Sequence, residues 1–333
     1  MRAWQIVSPG IDALELSERP SPPPGPGEIK VRVRASSINY RDLGTVRDPV
    51  SRKLPYPRIP NSDGAGEVIA VGPGVTGLSK GSRVASTFFQ RWTDGQCSAD
   101  AMASALGGAI DGVLAEEVIL NAEGVVPIPD HLSFEEAATL PCAALTAWNA
   151  LVEAARVKAG DTVLLLGTGG VSIFALQFAR LLGARAIIIS SSDAKLERAT
   201  ALGAAHTINY RTTPDWDRAV LDLTNGVGVD ATVEVGGAGT LPKSIVATRV
   251  AGTISLIGVL AGGQIDPAQF MRKSIKMQGI YVGSRRMFME MNRAIAFSGL
   301  KPVIDQTFAF EKARDAFHTM QAAGHFGKIV IRV

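Results

Sequence analysis

The stretch Asp161-Thr-Val-Leu-Leu-Leu-Gly-Thr-Gly-Gly-Val-Ser172 predicts the fold of the middle of the chain. It reads as a buried strand, a glycine turn and the start of a helix that continues to Leu182. The turn fits the pattern G-x-G-x-x-G except at the last position, where Ser172 replaces glycine. Such glycines permit a tight turn and a close approach of the backbone to phosphate, and the helix N-terminus offers free N–H groups to an anion. The stretch therefore predicts a dinucleotide-binding turn.

Strands and helices alternate through the region around this turn. The capping box Ser133-Phe-Glu-Glu136 predicts the helix that opens the region. Predicted strands occupy 162–166, 186–189, 206–209, 230–235, 253–257 and 276–281, and predicted helices occupy 171–182, 194–202 and 240–247. This alternation predicts a doubly wound parallel sheet. A helix at 313–320 and a strand at 328–332 are expected to return to the first domain.

The chain before this region has the pattern of an all-β domain. Glu28–Ala35 alternates apolar and polar residues as a half-buried strand does, and the proline-rich turn Pro22–Gly27 precedes it. Glycines open a second predicted strand at Gly64–Gly72. The predicted fold class is therefore α/β, with a β domain followed by a doubly wound parallel sheet.

Composition narrows the class of protein. The chain has 333 residues and a net charge of +3, and no block of basic residues stands out. Binding to nucleic acid or to a membrane surface is therefore not expected. Neither a signal peptide nor an apolar run of membrane-spanning length is recognisable. The two cysteines, Cys97 and Cys142, imply no disulfide framework, which suits a reducing compartment, and we expect a cytoplasmic protein.

The end of the second predicted strand indicates which dinucleotide binds. Proteins that prefer the unphosphorylated cofactor usually place Asp or Glu there, to hold the ribose hydroxyls. Here the strand ends in Ser190-Ser191-Ser192, with Lys195 one turn into the helix. Hydroxyls and an ammonium favour a 2′-phosphate, so NADP(H) is predicted over NAD(H). Asp193 leaves the alternative open, because its carboxylate is able to reach a free ribose. Ser192 or Asp193 is equally suited to a helix N-cap, with Lys195 as a solvated surface charge.

Several segments together resemble the medium-chain dehydrogenase/reductase superfamily, and in particular its zinc-independent quinone and enone reductases. They are the glycine turn, Ile38–Asp42, Asn61–Val68, Leu140–Trp148, His206–Tyr210 and Gly327–Val330. The resemblance implies a GroES-like catalytic domain at 1–127 and 284–333, and a Rossmann NADP(H)-binding domain at 128–283. It also implies a homodimer or homotetramer.

The resemblance assigns cofactor contacts residue by residue. Thr146 is expected near the nicotinamide-side phosphate or ribose, and Lys328 is a further candidate. The other expected contacts are Gly169, Gly170 and Val171 for the diphosphate, Ser191, Lys195 and Tyr210 for the 2′-phosphate, and Ile257, Gly258 and Val259 for the nicotinamide.

No metal is predicted. Zinc-dependent relatives hold a catalytic ion with Cys or His at three positions. The first position falls in Ser37–Arg41 and the second in Asn61–Asp63, and neither segment carries Cys or His. The stretch that corresponds to a structural zinc lobe, 91–112, has only Cys97. Cys142 lies in an apolar predicted helix, where it is either a core residue or part of the cofactor cleft.

Chemistry without a Lewis acid favours conjugated acceptors, because a quinone or an α,β-unsaturated carbonyl delocalises the charge that a hydride delivers. Tyr40 is the candidate proton donor and Asn39 a candidate hydrogen-bonding partner of ribose or substrate. Packing of Tyr40 under the nicotinamide and a plain turn role for Asn39 remain open. Two further functions also remain open: a zinc-free alcohol dehydrogenase or carbonyl reductase, and an NADPH-binding protein with little turnover.

Overall fold

The computed structural model describes residues 1–258, 260 and 262–333. The chain forms two compact units, the first made of Met1–Leu145 with Val282–Val333 and the second of Thr146–Tyr281. The predicted α/β class is confirmed, with a largely antiparallel sheet in the first unit and a parallel sheet in the second. The exact domain limits drawn from the sequence stay a prediction. Within the described residues, no helix has the length and apolar character needed to cross a membrane.

The elements before the glycine turn are mostly short strands. They are β1 Arg2–Ile6, β2 Leu14–Glu18, β3 Glu28–Ile38, α1 Tyr40–Arg47, β4 Asp63–Val71, β5 Arg83–Ser86, α2 Ala99–Met102, β6 Glu117–Asn121, β7 Val125–Pro127 and α3 Phe134–Ala137. The sequence suggested a purely β region, but the helix α1 interrupts it. Asp42 supports the start of α1 by accepting the backbone N–H of Asn39 at 2.8 Å.

The second unit begins in a helical stretch and then alternates strands with helices. Its elements are α4 Leu145–Trp148, between π-helical turns Leu140–Ala144 and Asn149–Ala154, then β8 Thr162–Leu166, α5 Gly170–Leu181, β9 Arg185–Ser190, α6 Asp193–Ala201, β10 His206–Asn209, α7 Trp216–Leu223, β11 Val229–Glu234, α8 Leu241–Ala247, β12 Thr248–Leu256, α9 Ala268–Lys273 and β13 Lys276–Gly279. The chain then returns to the first unit through α10 Arg285–Ser298, β14 Ile304–Ala309, α11 Ala313–Gln321 and β15 Lys328–Arg332.

The sheet of the second unit is entirely parallel, in the order β10-β9-β8-β11-β12-β13. Every strand predicted for this unit is present. The central strand β8 is buried along its whole length, which explains its uninterrupted apolar sequence. The strand order reverses between β8 and β11, and ligands of such sheets bind at the carboxyl ends of the strands beside this point.

The first unit is organised around β3, which pairs antiparallel with β4, β6 and β15. The strand β14 joins the same sheet by pairing parallel with β15, so the end of the chain completes the sheet begun by its start. The indole N–H of Trp4 donates to the carbonyl of Phe310 at 2.8 Å, within one apolar core that both ends of the chain supply. The elements α11 and β15 both lie in this unit.

Candidate functional site: a nucleotide turn and a buried polar cluster

The glycine turn of the second unit has the geometry of an anion cradle. Gly167 adopts a φ of 73°, in the left-handed region that favours glycine. The first N–H groups of a helix have no intrahelical acceptor, and Gly169, the N-cap of α5, has no side chain to cap them. A Cβ at Gly169 would meet no atom within 4 Å, so the space in front of these groups is open. The turn fits the diphosphate of a dinucleotide.

Ser172 stands where the dinucleotide-binding pattern expects a glycine, and its side chain makes a contact that keeps the turn intact. Its side chain is buried, and its hydroxyl donates to the carbonyl of Leu166 at 2.6 Å. The hydrogen bond ties the first turn of α5 to the end of β8, where a third glycine would allow close packing. The substitution therefore replaces close packing with a polar contact and leaves the turn intact.

The predicted cofactor residues of the second unit lie mostly where parallel strands end. Gly169, Gly170 and Val171 follow β8, Ser191 follows β9, Tyr210 follows β10, and Ile257 and Gly258 follow β12. Lys195 lies one turn into α6, and Thr146 is buried in α4. Because these strands are parallel, their carboxyl ends share one edge of the sheet. Val259 lies outside the described residues.

Glu234 shapes the edge near Ile257 and Gly258, and sequence reasoning missed it. Its backbone carbonyl accepts the N–H groups of both residues, at 2.8 and 3.2 Å. Its buried carboxylate accepts the N–H of Gly236 at 2.7 Å and is also hydrogen-bonded by Ser244. A Cβ at Gly258 would overlap the carbonyl oxygen of Val235, so this close approach requires glycine. The ends of β11 and β12 are therefore held together by backbone.

The first unit holds a buried polar cluster, made of Asn39, Ser62, Asp63, Cys142 and Lys328. The ammonium of Lys328, only 2% exposed, donates to the carbonyl of Ile38 at 2.8 Å and to Oδ1 of Asn39 at 2.5 Å. Nδ2 of Asn39 lies 3.5 Å from the Ser62 hydroxyl, which donates to Oδ1 of Asp63 at 2.7 Å. Oδ2 of Asp63 accepts the backbone N–H of Cys142 at 3.1 Å. These contacts form an ordered chain from a cation to an anion.

Burial dominates the titration of this cluster. Removal from water raises the pKa of Asp63 to about 6, although Lys328 opposes the shift. Burial also lowers the pKa of the Lys328 ammonium, and the Asp63 carboxylate resists that change. Burial raises the pKa of the Cys142 thiol, with the charge of Asp63 adding to the effect. The thiol is therefore protonated at neutral pH and is a poor nucleophile.

An ion pair between Arg41 and Asp42 borders the cluster. Nη1 of Arg41 lies 3.1 Å from Oδ1 of the buried Asp42 and donates to the carbonyl of Leu106 at 2.7 Å. The guanidinium also lies over the ring of Phe88, with 4.8 Å between its carbon and the ring centroid. Two cations and two carboxylates thus lie in one part of the interior of this unit.

The donor set of the cluster does not fit zinc. The two segments that correspond to ligand positions contribute an amide, Asn39, a hydroxyl, Ser62, and a single carboxylate, Asp63, whereas a zinc site combines several thiolate, imidazole or carboxylate ligands. Cys142 supplies a protonated thiol, and the Lys328 ammonium would repel a dication. Among the described residues, no three His, Cys, Asp or Glu side chains are placed to share a metal ion.

The structure brings Asn39 into this cluster and leaves Tyr40 outside it. Tyr40 is the first residue of α1 and its side chain is 58% exposed. Lys328, expected from the resemblance to contact the cofactor, lies in the cluster, where it bonds Asn39. Sequence reasoning placed Asp63 in a segment that corresponds to a ligand position but gave it no role, and it left open whether Cys142 is core. A charged residue at the start of the apolar strand Lys328–Arg332 was the one available signal for a buried cation.

Comparison with known proteins agrees with this architecture. A family model described as alcohol dehydrogenase GroES-like domain matches residues 25–130, and one described as zinc-binding dehydrogenase matches 170–297. A zinc-type alcohol dehydrogenase-like protein of Schizosaccharomyces pombe is 44% identical over 308 residues, which cover 90% of this chain and 89% of that protein.

Two solved structures resemble the whole chain. A structure described as an NAD-dependent alcohol dehydrogenase has a TM-score of 0.92 and 36% identity, with 100% of each chain covered. The crotonyl-CoA carboxylase/reductase AntE, in complex with NADP, has a TM-score of 0.89 and 25% identity. That match covers 100% of this chain and 95% of AntE.

Proposed function

Because this chain belongs to the medium-chain dehydrogenase/reductase superfamily, we propose that it is an NADPH-dependent, zinc-independent reductase of quinones or α,β-unsaturated carbonyls. It is an oxidoreductase by family, and the choice of cofactor and acceptor is the proposal. The observation that carries the proposal is the chain of contacts Lys328–Asn39–Ser62–Asp63. That chain puts an internal ammonium and its counter-charge among the residues where zinc-dependent relatives place metal ligands.

The residues of the second unit suit a dinucleotide that supplies a hydride when bound. The N–H groups at the start of α5 hold the diphosphate, and Gly169 leaves room for it. Ile257 and Gly258, held by Glu234, line the nicotinamide end. Thr146, Lys195 and Tyr210 keep the roles that the resemblance assigns to them.

We infer the class of hydride acceptor from the groups that could stabilise the negative charge formed on the substrate. A ketone reduced to an alkoxide needs a strong electrophile, and this site offers no metal ligand set for one. A conjugated acceptor moves the incoming electron pair to a distant oxygen, as an enolate or hydroquinone anion. That oxygen then takes one proton from water or from Tyr40. NADPH, a proton and the acceptor thus give NADP⁺ and the acceptor reduced by two electrons.

Relatives described as alcohol dehydrogenases favour a second candidate, reversible alcohol oxidation with NADP⁺. On this hypothesis the Asn39 amide and Tyr40 would polarise a plain carbonyl without a metal. The assembly into a homodimer or homotetramer and the cytoplasmic location stay predictions in either case.

One assay separates the candidates. Chelator-treated protein is incubated with NADPH or NADH and a benzoquinone, a naphthoquinone, an enone or a plain ketone, and cofactor absorbance is followed. We expect turnover with NADPH and the conjugated acceptors, unchanged by chelation. Turnover confined to the ketone, with reverse oxidation of its alcohol, would support the alcohol dehydrogenase instead. Activity lost with the chelator and restored by zinc would contradict the proposal, and tight NADPH binding without any turnover would indicate a binding role.

A further inference from the structure

Asn209 lies where the second and third strands of the parallel sheet end side by side. It is the last residue of β10 and pairs in register with Ser190, the last residue of β9. The residues that follow Ser190 run into α6, whose first residue is Asp193. Asn209 therefore lies against the segment where the adenosine ribose of a dinucleotide binds in such folds.

Both polar atoms of the Asn209 side-chain amide are hydrogen-bonded. Its Oδ1 accepts the backbone N–H of Arg211 at 3.0 Å, which orients the side chain. Its Nδ2 donates to Oδ1 of Asp193 at 2.7 Å, a short distance typical of a bond to a carboxylate. The backbone carbonyl of Asn209 also accepts the N–H of Thr213 at 2.8 Å, so the turn itself is fixed.

We propose that Asn209 is a specificity-determining residue, which holds the Asp193 carboxylate against β10 and so removes the group best suited to bind a free ribose. This inference rests on the proposed function, because it concerns the same dinucleotide site. Asp193 is the carboxylate closest in sequence to the strand-end serines, and it is exposed. An untethered carboxylate at that place would accept hydrogen bonds from the 2′- and 3′-hydroxyls of NADH and repel the 2′-phosphate of NADPH. Tethered, it leaves Ser191 and Lys195 to face the phosphate.

The test is the ratio of the dissociation constants for NADPH and NADH, measured by fluorescence titration of the full-length protein. We expect Asn209→Ala to shift that ratio toward NADH by about three- to tenfold, the size expected for the net contribution of one hydrogen bond. Asp193→Asn should improve NADPH binding a few-fold, because the tether restrains the carboxylate and does not neutralise it. In the Asp193→Asn background, Asn209→Ala should leave the ratio unchanged.

Two further variants keep the result interpretable. Asn209→Ser retains an acceptor for the Arg211 N–H but is too short to reach Asp193, so it should reproduce the shift of Asn209→Ala if the tether matters. Asp222→Asn removes an exposed carboxylate from α7 of the same unit and should not change the ratio. Equal losses of both affinities in Asn209→Ala would mean a damaged turn, and an unchanged ratio would overturn the inference. Failure of the unmodified protein to bind either dinucleotide would instead overturn the proposed function.

Discussion

The two units handle charge in opposite ways. In the second unit, the surface suited to a ligand is backbone: N–H groups at the start of α5, with glycines leaving space before them. In the first unit, four distant segments meet in a buried cluster that holds the Lys328 ammonium and the Asp63 carboxylate, and Lys328 is 290 residues from the Ile38 carbonyl that it bonds. The glycine turn carries only the partial positive charge of aligned peptide dipoles, whereas the cluster contains fully ionised side chains that are buried away from water.

This difference between the two units predicts whether a substitution will affect ligand affinity or folding stability. A site made of backbone and open space loses ligand affinity when something fills it, and its folding is little affected. A buried cluster of charges loses stability when one partner is removed, because the remaining charge stays in the interior. Substitutions in the two units should therefore separate binding from folding.

The largest effect is expected at Lys328. Lys328→Met keeps the shape of the side chain and leaves the Asp63 carboxylate without its buried cation. We expect the free energy of unfolding at pH 7 to fall by about 3–5 kcal/mol, as for other broken buried pairs, measured by urea denaturation. Lys276→Met is the control, because Lys276 is exposed and bonds one carbonyl, that of Ala154. A loss for Lys328→Met no greater than for the control would show that the ammonium is not needed there.

The double variant Lys328→Met with Asp63→Asn refines this result. Removing both charges leaves no buried ion in the pair, so the double variant should be more stable than Lys328→Met alone. A further loss in the double variant would mean that Asp63 is held by Ser62 and the Cys142 N–H without help from the cation.

The pH dependence of stability tests the same pair through Asp63. Its pKa is raised from 3.8 in the unfolded chain to about 6 in the folded protein, so the folded state binds the proton more tightly. The stabilisation from this group is complete below about pH 4 and is lost as the pH rises to about 6, at a cost of about 3 kcal/mol. Asp63→Asn should therefore gain about 3 kcal/mol relative to the unmodified protein between pH 4 and pH 7.5.

Asp48 provides a control, because its pKa is shifted in the opposite direction from that of Asp63. The pKa of Asp48 is lowered by hydrogen bonds from Ser51, so its contribution is present above about pH 4 and is lost as the pH falls. Asp48→Asn should consequently lose stability relative to the unmodified protein as the pH rises through that range. Parallel stability curves for Asp63→Asn and the unmodified protein would contradict the raised pKa of Asp63.

The same contrast explains how much the sequence could reveal. The glycine turn, β8 and α5 are contiguous, so their spacing alone predicts the strand, the turn and the helix dipole. The Ser133–Glu136 capping box was equally local, and the Ser133 hydroxyl accepts the Glu136 N–H at 3.1 Å as predicted. Signals of this kind lie within one turn of chain, where geometry is nearly independent of the rest of the fold.

Features that depend on distant partners were not predictable. The helices α1 and α7 were not recognised from the sequence, and α7 is stabilised by burying Trp216 and Val220 against the sheet core. No spacing rule connects Asp63 with Lys328, because the sheet pairing of β3 with β15 and β4 brings them together. Charges in otherwise apolar strands are the clue to seek, but their partners require the fold.

A smaller effect, confined to binding, is expected at Gly169. Gly169→Val places a side chain in space that is empty in the protein and has an extended backbone that valine adopts readily. We expect the free energy of unfolding to change by less than about 0.5 kcal/mol. Because the diphosphate needs this space, NADPH affinity should fall by about 30-fold or more, measured by fluorescence titration. Gly324→Val, also in open space but in the first unit, should change neither quantity. Unchanged NADPH affinity in Gly169→Val would place the diphosphate elsewhere.

The smallest effect is expected at Tyr40, which the buried cluster does not include. Tyr40 is 58% exposed, so Tyr40→Phe should leave stability within about 0.5 kcal/mol of the unmodified protein. If the phenol donates a proton, kcat for an enone should fall by about three- to tenfold, because an enolate oxygen is more basic than a hydroquinone anion and is stabilised more by a proton donor. The rate with a quinone should fall less, since a hydroquinone anion takes its proton from solvent without help. Equal, small changes for both acceptors would make Tyr40 a packing residue and leave the first unit's chemistry to Asn39 and the charges that hold it.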